Sequence, residues 1–106
     1  MATQHEQERA AVNSALFKLQ NNGWIIQSVD DGESVSVGYT TMGKTKQRQE
    51  AINEADSVDW ATIFLHNDRD DRLGLSIIWG NTAECVVSDI TASSEAVLEQ
   101  VEEVLK

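Results

Sequence analysis

The sequence predicts an α+β fold: an antiparallel sheet of about five strands carrying three helices, mainly on one face, in the order α-β-β-α-β-β-β-α. Three observations lead there. Apolar residues recur at three- and four-residue spacing near both ends of the chain and once in the middle, and apolar–polar alternation fills the segments between. The connections within residues 60–90 are too short for parallel crossovers, so those strands must be antiparallel neighbours. A chain of 106 residues with 41% apolar side chains has enough material for one core, and residues 1–106 are read as one domain.

Residues 4–22 read as the first helix, with Val12, Ala15, Leu16 and Leu19 on one side. Asn22-Gly23 is its stop signal, because glycine accepts the left-handed conformation that closes a helix. Residues 24–29 form a β-branched and aromatic strand, turned at Asp30-Asp31-Gly32 into a second strand in which Val35, Val37 and Tyr39 alternate with small polar residues. Residues 45–56 read as a helix with Ala51, Ile52 and Ala55 inward. Ala61, Ile63 and Leu65 alternate in the next strand, followed by the polar turn 67–72 and the strand of Leu73, Leu75, Ile77 and Trp79. Gly80-Asn81 is expected to turn, and Cys85-Val86-Val87 to begin the last strand. Ser93 or Ser94 caps the final helix, where Glu95 suits the helix dipole and Val97, Leu98, Val101, Val104 and Leu105 form an apolar stripe. Leu98 and Val101 are the expected core contacts of that helix.

Eight Lys and Arg against eighteen Asp and Glu leave a net charge of −10. That repels phosphate backbones and anionic membranes and favours basic protein partners, so neither nucleic acid nor membrane is expected as a partner. The single cysteine, Cys85, excludes an intrachain disulfide and fits a reducing, cytoplasmic setting; its apolar neighbours mark it as a small core residue. The first residues lack the basic start and apolar run of a secretory signal, and no apolar stretch approaches the roughly 20 residues of a membrane helix.

The sharpest motif is Gly38-Tyr39-Thr40-Thr41-Met42-Gly43-Lys44-Thr45, a letter-for-letter match to the phosphate-loop pattern G-x-x-x-x-G-K-[ST]. In a nucleotide-binding domain its amides would cradle phosphates, Lys44 would reach the β- and γ-phosphates, and Thr45 would hold Mg²⁺. Against this stand a preceding strand that alternates polar and apolar residues, β-branched Thr40 and Thr41 in the loop, and the lack of βαβ units beyond it. Asp89 is the weak candidate for a second Mg²⁺ contact.

Other chemistry is sparse, and neither cofactor nor metal is expected. The carboxylates of residues 67–72 fail the calcium-loop spacing, which would need glycine and an acid where Leu73 and Trp79 stand. His5, on a mobile N-terminal segment, and His66, at a strand end, lack ligand-like neighbours. Trp24, Trp60 and Trp79 fall near strand ends, either as a contact patch or as the rim of the core with bonded indole N–H groups. Lys44, Lys46 and Arg48 cluster in one segment, whereas residues 84–106 hold Glu84, Asp89, Glu95, Glu99, Glu102 and Glu103 against Lys106 alone. Glu95, Glu99 and Glu103 stand at four-residue spacing on one helix face, a solvated face or an acidic docking strip.

The stretches Glu50-Ala51-Ile52, Asp56-Ser57-Val58-Asp59 and residues 73–89, with the turn Asp31-Gly32-Glu33, carry a resemblance. They resemble small proteins encoded by bacteriophages and other mobile elements, whose late strand reads apolar-apolar-x-G-N-x-x-E followed by apolar-x-D. Such proteins go on to D-Y or D-H, where this chain has Asp89-Ile90. The resemblance carries over no catalytic residues and implies a non-enzymatic role. The sequence therefore points to a small acidic protein-interaction or regulatory module, with a nucleotide-binding domain and a nucleic-acid-mimicking inhibitor as the competing readings.

Overall fold

A computed structural model describes residues 3–80 and 82–106. Met1 and Ala2, and Asn81 in the expected Gly80-Asn81 turn, lie outside the described residues. The elements are α1 (Gln4–Asn21), β1 (Ile25–Asp30), β2 (Val35–Ser36), a 3₁₀ turn (Tyr39–Thr41), α2 (Lys44–Ala55), β3 (Trp60–His66), β4 (Arg72–Ile78), β5 (Val87–Ala92) and α3 (Glu95–Leu105). The order and the α+β class are those the sequence predicts. The strands form one antiparallel sheet in the order β2-β1-β3-β4-β5.

Helix α1 starts where Thr3 Oγ1 accepts the Glu6 amide and stops at Gly23, φ 92°. There the Gly23 amide donates to Gln20 O at 3.1 Å and the Trp24 amide to Leu19 O at 3.1 Å. This paired closure needs a left-handed residue, and only glycine takes it without strain. It redirects the chain so that Trp24 is buried at the head of β1.

Alternation sorts the sheet into two unlike faces. Ile26 and Val29, Ala61, Ile63 and Leu65, and Leu73, Leu75 and Ile77 are buried in one cluster with Val12, Leu16, Leu19, Ala51, Ile52, Val97 and Val101 of the helices. The opposite residues Ile25, Trp60 and Phe64 remain exposed. Two bulges make the sorting possible. Ile26 and Val29 are three residues apart, so regular alternation would place them on opposite faces; the extra residue Gln27 between the pairs Ile26–Leu65 and Ser28–Phe64 brings both inward. Ser88 does the same for Val87 and Ile90, between the pairs Ser76–Asp89 and Ile77–Val87. On the bare face Gly74 makes room for its neighbours: a Cβ there would meet Thr91 Oγ1 at 2.8 Å and the Phe64 ring at 3.4 Å.

Three expectations change. The second strand ends at Ser36, because Gly38 turns the chain at φ 98° and sends Tyr39 into the core rather than along the sheet edge. Cys85 is exposed in the turn before β5, not a core residue within the strand; the preceding chain instead buries Val86. Leu98 is only half-buried; of the two expected core contacts of α3, Val101 is buried, and Val97 of the same stripe takes the place of Leu98.

We therefore expect Val101→Ala to cost about 2 kcal/mol of unfolding free energy, from two lost methyl groups and a partly collapsed cavity. Leu98→Ala should cost no more than about 1 kcal/mol. Urea melts of both variants decide the point, and the reverse ranking would show that α3 seats differently.

Candidate functional site

The phosphate-loop segment sits where the fold offers it little scope. Its leading strand β2 is a two-residue edge strand antiparallel to β1, not a buried parallel strand. The loop is filled by its own side chains. Tyr39 is 4% exposed, and its hydroxyl lies 2.7 Å from Ser36 Oγ. Thr41 Oγ1 donates to Gly38 O at 3.1 Å. Gly43 is the N-cap of α2 and offers no side chain, leaving Lys44 and Thr45 exposed in the first turn.

Behind the loop, buried amides fasten α2 to the sheet. Beyond the short β2, the edge of β1 is closed by Gln47, whose Oε1 accepts the Ile26 amide at 3.0 Å and Gln20 Nε2 at 3.3 Å. Its Nε2 donates to Met42 O at 3.3 Å. Gln20 also donates to Lys44 O at 3.0 Å and accepts from Arg48 Nη1 at 2.7 Å. Arg48 further reaches Asn13 and lies over the Phe17 ring. One of the three clustered cations is thus committed to the fold.

A second polar knot joins α1 to the ends of α2 and β4. Glu8, buried, accepts the Gly80 amide at 3.0 Å. His5 lies within α1 instead of on a mobile segment; its ring meets Trp79 at 5.3 Å and its Nε2 is 2.8 Å from Asp56 Oδ2. Arg9 binds Asp56 and Asn53, and Trp79 Nε1 donates to Ala55 O at 2.9 Å. Trp79 is therefore a rim residue with a bonded indole, whereas Trp60 is half-exposed on the bare sheet face. His66, at the end of β3, has its Nε2 buried with no hydrogen-bond partner among the described residues. Among those residues, no three His, Cys, Asp or Glu side chains converge as a metal-holding group.

The acidic residues come together elsewhere. A groove of about 740 Å³ opens between the α1–β1 turn, the β3–β4 loop and α3, lined by Trp24, Asp68, Arg69, Glu99, Gln100 and Glu103 among others. Asn67 builds its far wall: its Oδ1 accepts the amides of Arg69 and Asp71, both at 3.0 Å, and its Nδ2 reaches Asp71 Oδ2. That clasp holds Asp70 at φ 62° and fixes where Asp68 and Arg69 stand. Of the expected acidic row, Glu99 and Glu103 line the groove and Glu95 does not. Glu103 also pairs with Lys106 at 3.0 Å on the exposed rim. No local pattern ties Trp24 or the 68–69 corner to that row; only the chain reversal at Gly23 and the β3–β4 hairpin bring them beside α3.

Two ionisable groups are shifted by their settings. Asp31 is held below the usual carboxylate range by the amides of Ser34 and Glu33 that it accepts in the β1–β2 turn. Burial pushes the Tyr39 phenol up, offset in part by its Ser36 hydrogen bond. No family model, curated protein or solved structure matches this chain.

The Tyr39 shift has a measurable consequence. A phenol harder to ionise in the folded state gives stability that is complete below its ordinary value of 10.0 and lost as pH rises through the folded value. Tyr39 is the only tyrosine, so its ultraviolet titration reads one group. We expect a midpoint above 10.0, with an alkaline loss of melting temperature that Tyr39→Phe reduces. A midpoint at or below the ordinary value would contradict its placement in the core.

Proposed function

We propose that this chain is a small, non-enzymatic protein-interaction module of the cytoplasm that takes a basic segment of a partner protein into the groove beside α3. The observation that carries the reading is the convergence of Asp68, Glu99 and Glu103, beside Arg69, on the groove of about 740 Å³, with Trp24 among its lining residues. Lysine and arginine fit such a place doubly. Their charged ends meet carboxylates while their methylene stems lie along the apolar part of the wall at Val104. The chain's net charge of −10 adds long-range attraction that raises the encounter rate with a basic partner. The tightly self-filled segment 38–45 favours this reading over nucleotide binding, since Tyr39 and Gln47 use the loop to hold the fold.

The test separates the groove from general charge. Fluorescence anisotropy with a labelled Lys- and Arg-rich peptide should show saturable binding that weakens as salt is raised. Asp68→Asn, Glu99→Gln and Glu103→Gln combined should weaken it roughly tenfold or more, each exposed pair contributing a few tenths to about 1 kcal/mol. Asp59→Asn, Glu33→Gln and Glu50→Gln combined remove the same charge from elsewhere and should cost much less. Equal losses in both triple variants would mean that the peptide senses net charge and not the groove.

A further inference from the structure

We infer that the free edge of β5 is a self-pairing surface, through which two copies of this chain join antiparallel about a twofold axis at Ile90, making one continuous sheet. The sheet has two outer strands of unequal length: β2 has two residues and β5 has six. Shortness protects β2, whereas β5 is rich in β-branched residues and contains no proline or lysine; its guards, the bulge at Ser88 and the charge of Asp89, stand in its first half and leave residues 90–92 regular. The Ser93 amide donates to Arg72 O at 3.0 Å, so its backbone groups point toward β4. Groups alternate along a strand, which turns those of Thr91 inward and those of Ala92 and Ile90 outward to the free edge.

Charge selects both the occupant and the register. From Cys85 to Ser94 the only charged residue is Asp89, in a chain of net charge −10. With Ile90 on the axis, Asp89 of each copy faces Thr91 of the other, and the two Ile90 residues exchange a pair of backbone hydrogen bonds. An axis at Ala92 would instead oppose Asp89 to Glu95 and drive the pairing into the start of α3. The helix-facing side gives the pairing an apolar component. There a groove of about 350 Å³ runs beside β5, lined by Ala11, Ala15, Val87, Ile90 and Leu105, and its charged residues Lys18 and Glu84 balance each other. Along this half-apolar edge two acidic copies approach without opposing like charges directly.

Sedimentation equilibrium over a concentration series tests this. Dimers should appear and tighten as NaCl is raised to about 0.5 M, because screening removes the mutual repulsion of the two copies. That dependence is opposite in sign to the one expected for a basic peptide in the α3 groove. Ala92→Pro removes an outward N–H without removing a β4–β5 hydrogen bond, and should weaken association at least tenfold. Register is read separately, in a Cys85→Ser background, by oxidising Ile90→Cys: the paired residues stand about 5.5 Å apart at Cα, within disulfide reach. Rapid cross-linking of that variant, but not of Thr62→Cys on the bare face, supports the pairing even if Ala92→Pro folds poorly. A chain that stays monomeric at every salt concentration, or one that cross-links through Thr62→Cys instead, overturns it.

Discussion

The helices lie against one side of the β2-β1-β3-β4-β5 sheet, and the other features of the molecule follow from that one-sided cover. A single buried layer requires every strand to send its large aliphatic side chains the same way. Where the sequence spacing is three rather than two, at Ile26 and Val29 and again at Val87 and Ile90, a bulge corrects the phase. The helix layer in turn needs polar clasps where backbone would be left without partners. Gln47 closes the part of β1 that β2 fails to reach, and Glu8 holds the Gly80 amide. These buried polar side chains stabilise mainly by preventing an unsatisfied amide, which costs more than a hydrogen bond gains.

Much of this architecture is legible in the sequence, for identifiable reasons. Gly23 announces the end of α1 because the left-handed position admits little else. The alternation of Ala61, Ile63 and Leu65, and of Leu73, Leu75 and Ile77, is unbroken, so β3 and β4 lie where the pattern puts them. What the sequence hides is whatever depends on a single backbone angle or on distant partners. Positive φ at Gly38 ends β2 early and converts Tyr39 from an edge residue into a core one. A turn in which the Cys85 amide donates to Thr82 O at 3.0 Å holds Cys85 outside β5, which starts at Val87. Gln20, Gln47 and Glu8 read as solvated helix positions, and only the pairing of elements far apart in sequence makes them interior. The acidic row on α3 is legible in the sequence; its division into a groove wall at Glu99 and Glu103 and a position outside the groove at Glu95 belongs to the tertiary structure.

Both surfaces proposed for binding lie at the rims of the layer and not in its middle. The α3 groove gathers carboxylates beside an aromatic ring, while the β5 edge is the stretch from which charge has been nearly removed. The proposed peptide binding and the proposed self-pairing should therefore answer salt in opposite directions, one drawn by the acidic field and the other opposed by it. They also lie on different elements, so engagement of the groove by a partner leaves the β5 edge open for a second copy.

The three tryptophans allow the central claim to be read in one experiment. Trp24 lines the acidic groove, Trp60 stands on the bare sheet face, and Trp79 is tied through its indole N–H to Ala55. In a ¹H–¹⁵N correlation spectrum each indole is a separate reporter for one of these surfaces. Titration with a Lys- and Arg-rich peptide should move the Trp24 indole signal together with the amides of Arg69, Gln100 and Val104, leaving Trp60 and Trp79 in place. Movement of Trp60 with Thr62 and Phe64, while Trp24 stays fixed, would place recognition on the open sheet and contradict the groove as the binding site.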